Sequence, residues 1–190
     1  LIPKMWTKRK NEIYLNCFKH NPQISIIELF EDSSIWEEVG LNEIEKIQFE
    51  ESRTQLANIS FLVDELMAQG YDILPITHED YPKILKDNLK FNAPTVIYTK
   101  GNKSLLQEPS IAIVGSRSAD MKSLSFTDNI AKNAIRNNKV VVSGFAKGVD
   151  RQALDSTIRI NGKSIIVLPQ GIMTFGSGFK QYFKHIVQGR

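Results

Sequence analysis

Two short loops carry the residue types that can act on an anion: Gly115-Ser116-Arg117-Ser118 and Ser143-Gly144-Phe145-Ala146-Lys147-Gly148-Val149-Asp150. Glycines let backbone N–H groups approach a phosphate closely, arginine grips two of its oxygens with a planar fork, and lysine adds a compact point charge. Neither a Walker phosphate loop nor the G-x-G-x-x-G dinucleotide fingerprint is present, so ATP hydrolysis and nicotinamide chemistry are not expected and no cofactor is called for. The single cysteine, Cys17, provides no disulfide framework and no thiolate metal site. His78, Glu79 and Asp80 stand together, but adjacent residues point different ways and no second group lies at ligand spacing, so no metal is expected. The residues of the two loops therefore propose a phosphate site.

Each loop follows a short apolar run, Ile111 to Val114 and Val140 to Val142, and a third such run spans Ile165 to Leu168. The runs are rich in β-branched residues and are separated by helical pattern; Leu124, Ile130, Ala131, Ala134 and Ile135 fit one helical face. Strands without polar alternation belong to a parallel sheet buried on both faces, which predicts an α/β fold with helices on both sides. In such a sheet the ligand crevice opens at the carboxyl ends of the strands, where both loops fall and where helix N-termini aim N–H groups outward.

Charge is divided unevenly along the chain. Residues 1 to 108 carry 12 Lys/Arg against 17 Asp/Glu (net −5), and residues 109 to 190 carry 12 against 4 (net +8). A domain that basic points to a polyanionic partner, nucleic acid before membrane, since no apolar run approaches a membrane span and no basic amphipathic signal accompanies the charge. Nothing resembles a signal peptide, so the expected location is cytoplasmic. The chain begins without Met and stops at Gln188-Gly189-Arg190, as a fragment of a longer protein would.

Residues 1 to 68 read as a small all-α domain with helices at Asn11 to Lys19, Ile24 to Phe30, Ser34 to Glu38, Glu43 to Phe49 and Ser52 to Ala68. Leu56, Ile59, Ser60, Val63, Leu66 and Met67 would form the buried face of the last. The domain fits a structural or partner-docking role, with DNA contact or dimerisation as alternatives. Residues 69 to 190 form the second domain. Its bridge contains Tyr81-Pro82, a rigid turn, and the strand Thr95 to Tyr98, expected at the edge of the main sheet. Past Gly171, a Gly-Ser-Gly loop precedes a short amphipathic segment whose aromatics, beside Lys180 and Lys184, either stack on bases or belong to the core.

Read together, Gly115-Ser116-Arg117, the pattern Ser143-Gly144-x-Ala146-x-Gly148-x-Asp150, the strand Ser164 to Leu168 preceded by Asn161-Gly162-Lys163, and the leads Tyr81-Pro82-x-x-Leu85 and Pro94 to Gly101 resemble the DNA-processing protein A family (DprA, also called Smf). The resemblance covers about residues 10 to 172. It implies a Rossmann-like domain that binds single-stranded DNA, forms a homodimer and helps load the RecA recombinase in natural transformation. Carried onto this chain, Arg117 contacts a phosphate while Gly115 and Ser116 shape the turn. Ser143, Gly144, Lys147 and Gly148 form a second wall, and Asp150 caps or orients the next helix. Lys122, Arg151, Lys163 and Lys180 would extend the basic track. Close packing alone could also explain Gly144 and Gly148, and a plain N-cap could explain Asp150.

The chain departs from the family's pattern in places. Ala153-Leu154 replaces an Ala-His step, Lys122-Ser123 replaces an aromatic-Gly step, and the YPxxN segment after Gly171 is missing. The competing class is a nucleoside-monophosphate phosphoribohydrolase of related fold, but Pro169-Gln170-Gly171-Ile172-Met173-Thr174 lacks that enzyme's glycine pair and following glutamate. A pocket that senses a free nucleotide is the third reading.

Overall fold

The computed structural model describes residues 9, 11–13, 32–169 and 171–189, with the side chains of 176–179 excepted. The helix expected over Ile24 to Phe30 lies outside them. Contacts divide the chain into two compact units, one ending at Tyr98 and one beginning at Thr99. The boundary read from sequence, at 68/69, falls earlier, and the difference is the bridge.

In the first unit, α1 (Ile35–Glu38), α2 (Glu43–Arg53) and α3 (Leu56–Ala68) follow one another. A capping box starts α2: Asn42 accepts from the Glu45 amide at 2.9 Å, and Glu45 accepts from the Asn42 amide at 2.9 Å. Glu45 also receives the Arg9 guanidinium at 2.7 and 3.0 Å. The core here holds Ile13, Trp36, Leu41 and Phe49, with the Trp36 and Phe49 rings 6.0 Å apart. The expected buried face of α3 does not form: Ile59, Val63 and Leu66 are half-buried, while Leu56, Ser60 and Met67 are exposed. Its apolar spacing fits a helix, but only one narrow stripe meets the unit.

The bridge belongs to this unit. Strand β2 (Val96–Thr99) pairs with β1 (Asp72–Pro75) in a separate two-stranded sheet, not with the main sheet as expected. Its surroundings explain the choice: Leu74, Ile76 and Ala93 are buried, and the Ile76 amide donates to Thr95 O at 2.8 Å. Tyr81, buried, donates its hydroxyl to Pro94 O at 2.7 Å, and Pro82 precedes the helix α4 (Lys83–Leu89).

The second unit is a three-stranded parallel sheet, β3 (Ser110–Ala112), β4 (Val140–Ser143) and β5 (Ser164–Ile166), in that order. The helices α5 (Met121–Arg136) and α6 (Val149–Arg159) connect the strands. Asp120 caps α5 by accepting from the Ser123 amide at 2.8 Å. Both helices end on an asparagine in the left-handed region, Asn138 (φ 53°) and Asn161 (φ 56°). The next amide in each case closes the last turn, Lys139 to Ala134 O and Gly162 to Thr157 O.

Because the strand order runs one way, right-handed crossovers bring both helices to the same face. They pack on each other and share one core of Ile113, Ala131, Ala134, Val141 and Ala153. α5 and α6 therefore lie on one face of the sheet, within the parallel α/β arrangement that the apolar runs suggested. The runs reported burial of the central strand correctly, since Val140 and Val141 point to opposite faces and both have 0% exposure. Just past the ends of the outer strands, Val114 and Val167 are 72% and 58% exposed.

Arg9 holds the Glu45 carboxyl below the usual glutamate range, against an opposing push from burial. A depressed folded-state pKa contributes stability that is present above the unfolded value and lost as pH falls through the folded one. The stability advantage of the wild type over Glu45→Gln should therefore be present at neutral pH. It should vanish as an acid titration followed by circular dichroism passes below the ordinary glutamate range.

Candidate phosphate-binding site

The loops after β3 and β4 meet at the carboxyl edge of the sheet. Their junction is Gly148, with φ +81°, a conformation open to glycine and strained for other residues. A Cβ there would stand 2.2 Å from Ser116 O and 2.9 Å from Arg117 C and O, so the second loop rests directly on the backbone of the first. The Val149 amide then donates to Ser116 O at 3.1 Å. Gly115 is equally confined, since its Cβ would lie 2.9 to 3.0 Å from the Val149 side chain.

Asp150 is the brace between the loops. Its carboxylate accepts from the Gly115 amide at 3.2 Å, and its other oxygen lies 2.5 Å from where a Gly144 Cβ would be. The residue is buried and sits in the first turn of α6. It is not the N-cap; Gly148 holds that position and offers no side chain. Ser143, also buried, donates its hydroxyl to Ile113 O at 2.6 Å and lies 3.4 Å from Asp150 O. Its hydroxyl therefore ties β4 to β3 instead of lining a pocket wall.

Four amides of the two loops and the turn after them are taken up by the protein itself. Gly115 N–H goes to Asp150, Ser118 N–H to Ser116 Oγ at 3.1 Å, Val149 N–H to Ser116 O and Arg151 N–H to Ala146 O. The edge also presents side-chain charge to solvent. Arg117 and Lys147 are both exposed, and among the described residues neither enters an ion pair. The Gly148 contact places the Arg117 backbone against the neighbour of Lys147.

A family model described as DNA recombination-mediator protein A matches residues 72–188. The chain belongs to that family. It is 32% identical over 107 residues to the DNA processing protein DprA of Streptococcus pneumoniae, covering 56% of this chain and 37% of that protein. It is 30% identical over 139 residues to the protein Smf of Synechocystis, covering 70% and 34%. The matches thus span about a third of these relatives' own lengths. The crystal structure of the Streptococcus pneumoniae DprA superposes with a TM-score of 0.72 at 23% identity, over 96% of this chain and 60% of that one, which is the same fold.

The remaining basic residues of this DprA-family chain are dispersed. Lys163 sits at the amino end of β5, opposite to the loops, with its ammonium 2.8 Å from both Glu108 oxygens. It therefore does not extend a track at the carboxyl edge. Lys122 lines a groove of about 560 Å³ along β3 with Val114, Phe126 and Ile130. Lys180 is exposed on α7 (Gly176–Val187). Arg151 is engaged: its guanidinium carbon lies 3.8 Å from the Phe145 ring centroid and it donates to the Tyr182 hydroxyl. Phe145 in turn meets Phe175 and Tyr182 edge to face, at 4.5 and 5.7 Å. The sequence offered no signal for this cluster beyond aromatic content, because Tyr182 is 31 residues from Arg151. His78, considered with Asp80, forms a local turn in which Nδ1 accepts from the Asp80 amide at 3.1 Å.

Gly148→Ala should disrupt the loop junction, combining a left-handed φ with a clash against backbone, at a cost of about 1–3 kcal/mol or more. Asp150→Asn keeps the shape and removes the charge from the brace, so its loss should be smaller. Thermal unfolding of the two variants checks the order.

Proposed function

We propose that this chain binds single-stranded DNA through its backbone phosphates, with little sequence preference and without catalysis. The observation that carries the reading is the pairing of Arg117 and Lys147 at one edge, both exposed and outside any described ion pair, on loops locked together by Gly148 and Asp150. The basic balance of residues 109 to 190 supports it. Binding through these full charges releases counterions and weakens with salt. Phe183, 59% exposed on α7 between Lys180 and Lys184, has the character of a residue that stacks on an unpaired base.

Asp150 is a buried brace between the two loops, a place that does not suit a general base. Within the same proposal, family membership supports a role in DNA recombination, with loading of RecA onto DNA taken up in natural transformation, homodimer formation and a cytoplasmic setting. The two domains proposed are a helical one over residues 1–68 and a Rossmann-like one over 69–190.

Fluorescence anisotropy with labelled oligo-dT of increasing length at two salt concentrations, with AMP as competitor, tests the reading. Affinity should rise with length, fall with salt and resist AMP. Arg117→Ala and Lys147→Ala should each weaken binding and flatten the log–log salt slope by about 0.7, one phosphate contact. Saturable AMP binding without length dependence would transfer the site to the nucleotide-sensing class.

A further inference from the structure

We infer that Arg151 is a further phosphate ligand of this site, held in reserve by Tyr182 on α7. The inference rests on the proposed phosphate-binding reading of the carboxyl edge. Arg151 occupies the first turn of α6, and its amide donates to Ala146 O at 3.1 Å. Its guanidinium lies over Phe145, two residues before Lys147 in the second loop. The cation is therefore already beside the loop that carries the site, with the ring of Phe145 as the surface on which it pivots.

What keeps it turned away is a neutral acceptor. The Arg151 Nη1 donates to the Tyr182 hydroxyl, and that hydroxyl donates to Asp155 Oδ1 at 3.1 Å, so one phenol is inserted between an arginine and an aspartate on successive turns of α6. Gln181 Oε1 adds a contact at 3.4 Å. Tyr182 is itself buried, and it anchors α7 to the same cluster through Phe145. A hydroxyl holds a guanidinium less tightly than an anionic phosphate oxygen does, because a bond charged at both ends is roughly twice as strong. A phosphate arriving at Lys147 would draw Arg151 off Tyr182, leaving the stacking on Phe145 intact and removing one tie between α6 and α7. Tyr182 is thus a latch that competes with DNA for Arg151.

The test uses the full chain and labelled oligo-dT, with Tyr182→Phe, Arg151→Ala and the double variant. Tyr182→Phe keeps the ring packing and deletes only the hydroxyl. It should tighten binding by about two- to tenfold, the range of one released hydrogen bond. Arg151→Ala should weaken binding and flatten the salt slope by about 0.7. The double variant should match Arg151→Ala alone. Hydrogen exchange in α7 should quicken when DNA is added to the wild type and not to Arg151→Ala. Wild-type binding that depends on Arg117 while Tyr182→Phe has the same affinity as the wild type, or has an equal effect with and without Arg151, would overturn the latch alone. Absence of any DNA binding by the wild type would overturn the phosphate reading and the latch with it.

Discussion

The carboxyl edge depends on one steric contact, the absence of a side chain at Gly148 where it lies on the carbonyls of Ser116 and Arg117. Everything that makes the two loops a single body follows from it. Only with the chain that close can the Val149 amide reach Ser116 O, and only then does the Asp150 carboxylate reach the Gly115 amide on the far side. The glycines therefore work chiefly by admitting protein to protein. They shape the site to which Arg117 and Lys147 add charge.

That division has an electrostatic consequence. A phosphate loop built from free amides offers fixed partial charges and a defined geometry. Here the amides of Gly115, Ser118 and Val149 are satisfied within the fold, and full charge is added by Arg117 and Lys147 at the ends of flexible side chains. Charges of this kind suit a ligand that carries repeated charge along a strand. Asp150 fits the same picture, because a negative charge buried behind the loops fixes their relation and stays out of the solvent-facing surface.

The cations of the basic unit are otherwise assigned by position in the sheet. Lys163 precedes its strand and so emerges at the amino end, where Glu108 neutralises it. Lys132 and Arg159 converge on Asp128 and fasten α5 to α6, the two helices that the unidirectional strand order puts side by side. Arg151 lies between these classes, at the correct edge but folded into the aromatic cluster that holds α7. A net charge counts all of these alike, whereas the sheet direction sorts them.

Local order was legible in the sequence: three apolar runs with loops after them, helical pattern between them, and two glycine-bearing loops containing Arg117 and Lys147. These follow from periodicity and chain direction, which act over a few residues and leave a mark on every one of them. The tertiary structure decided which groups remain available. It put β2 with β1 in the first unit, laid α5 and α6 on one face, left α3 only partly covered, and committed Ser143, the Gly115 and Val149 amides and Arg151 to internal partners. Those outcomes depend on contacts between residues such as Tyr182 and Arg151, 31 positions apart, whose spacing carries no local signal because the intervening fold alone sets their distance.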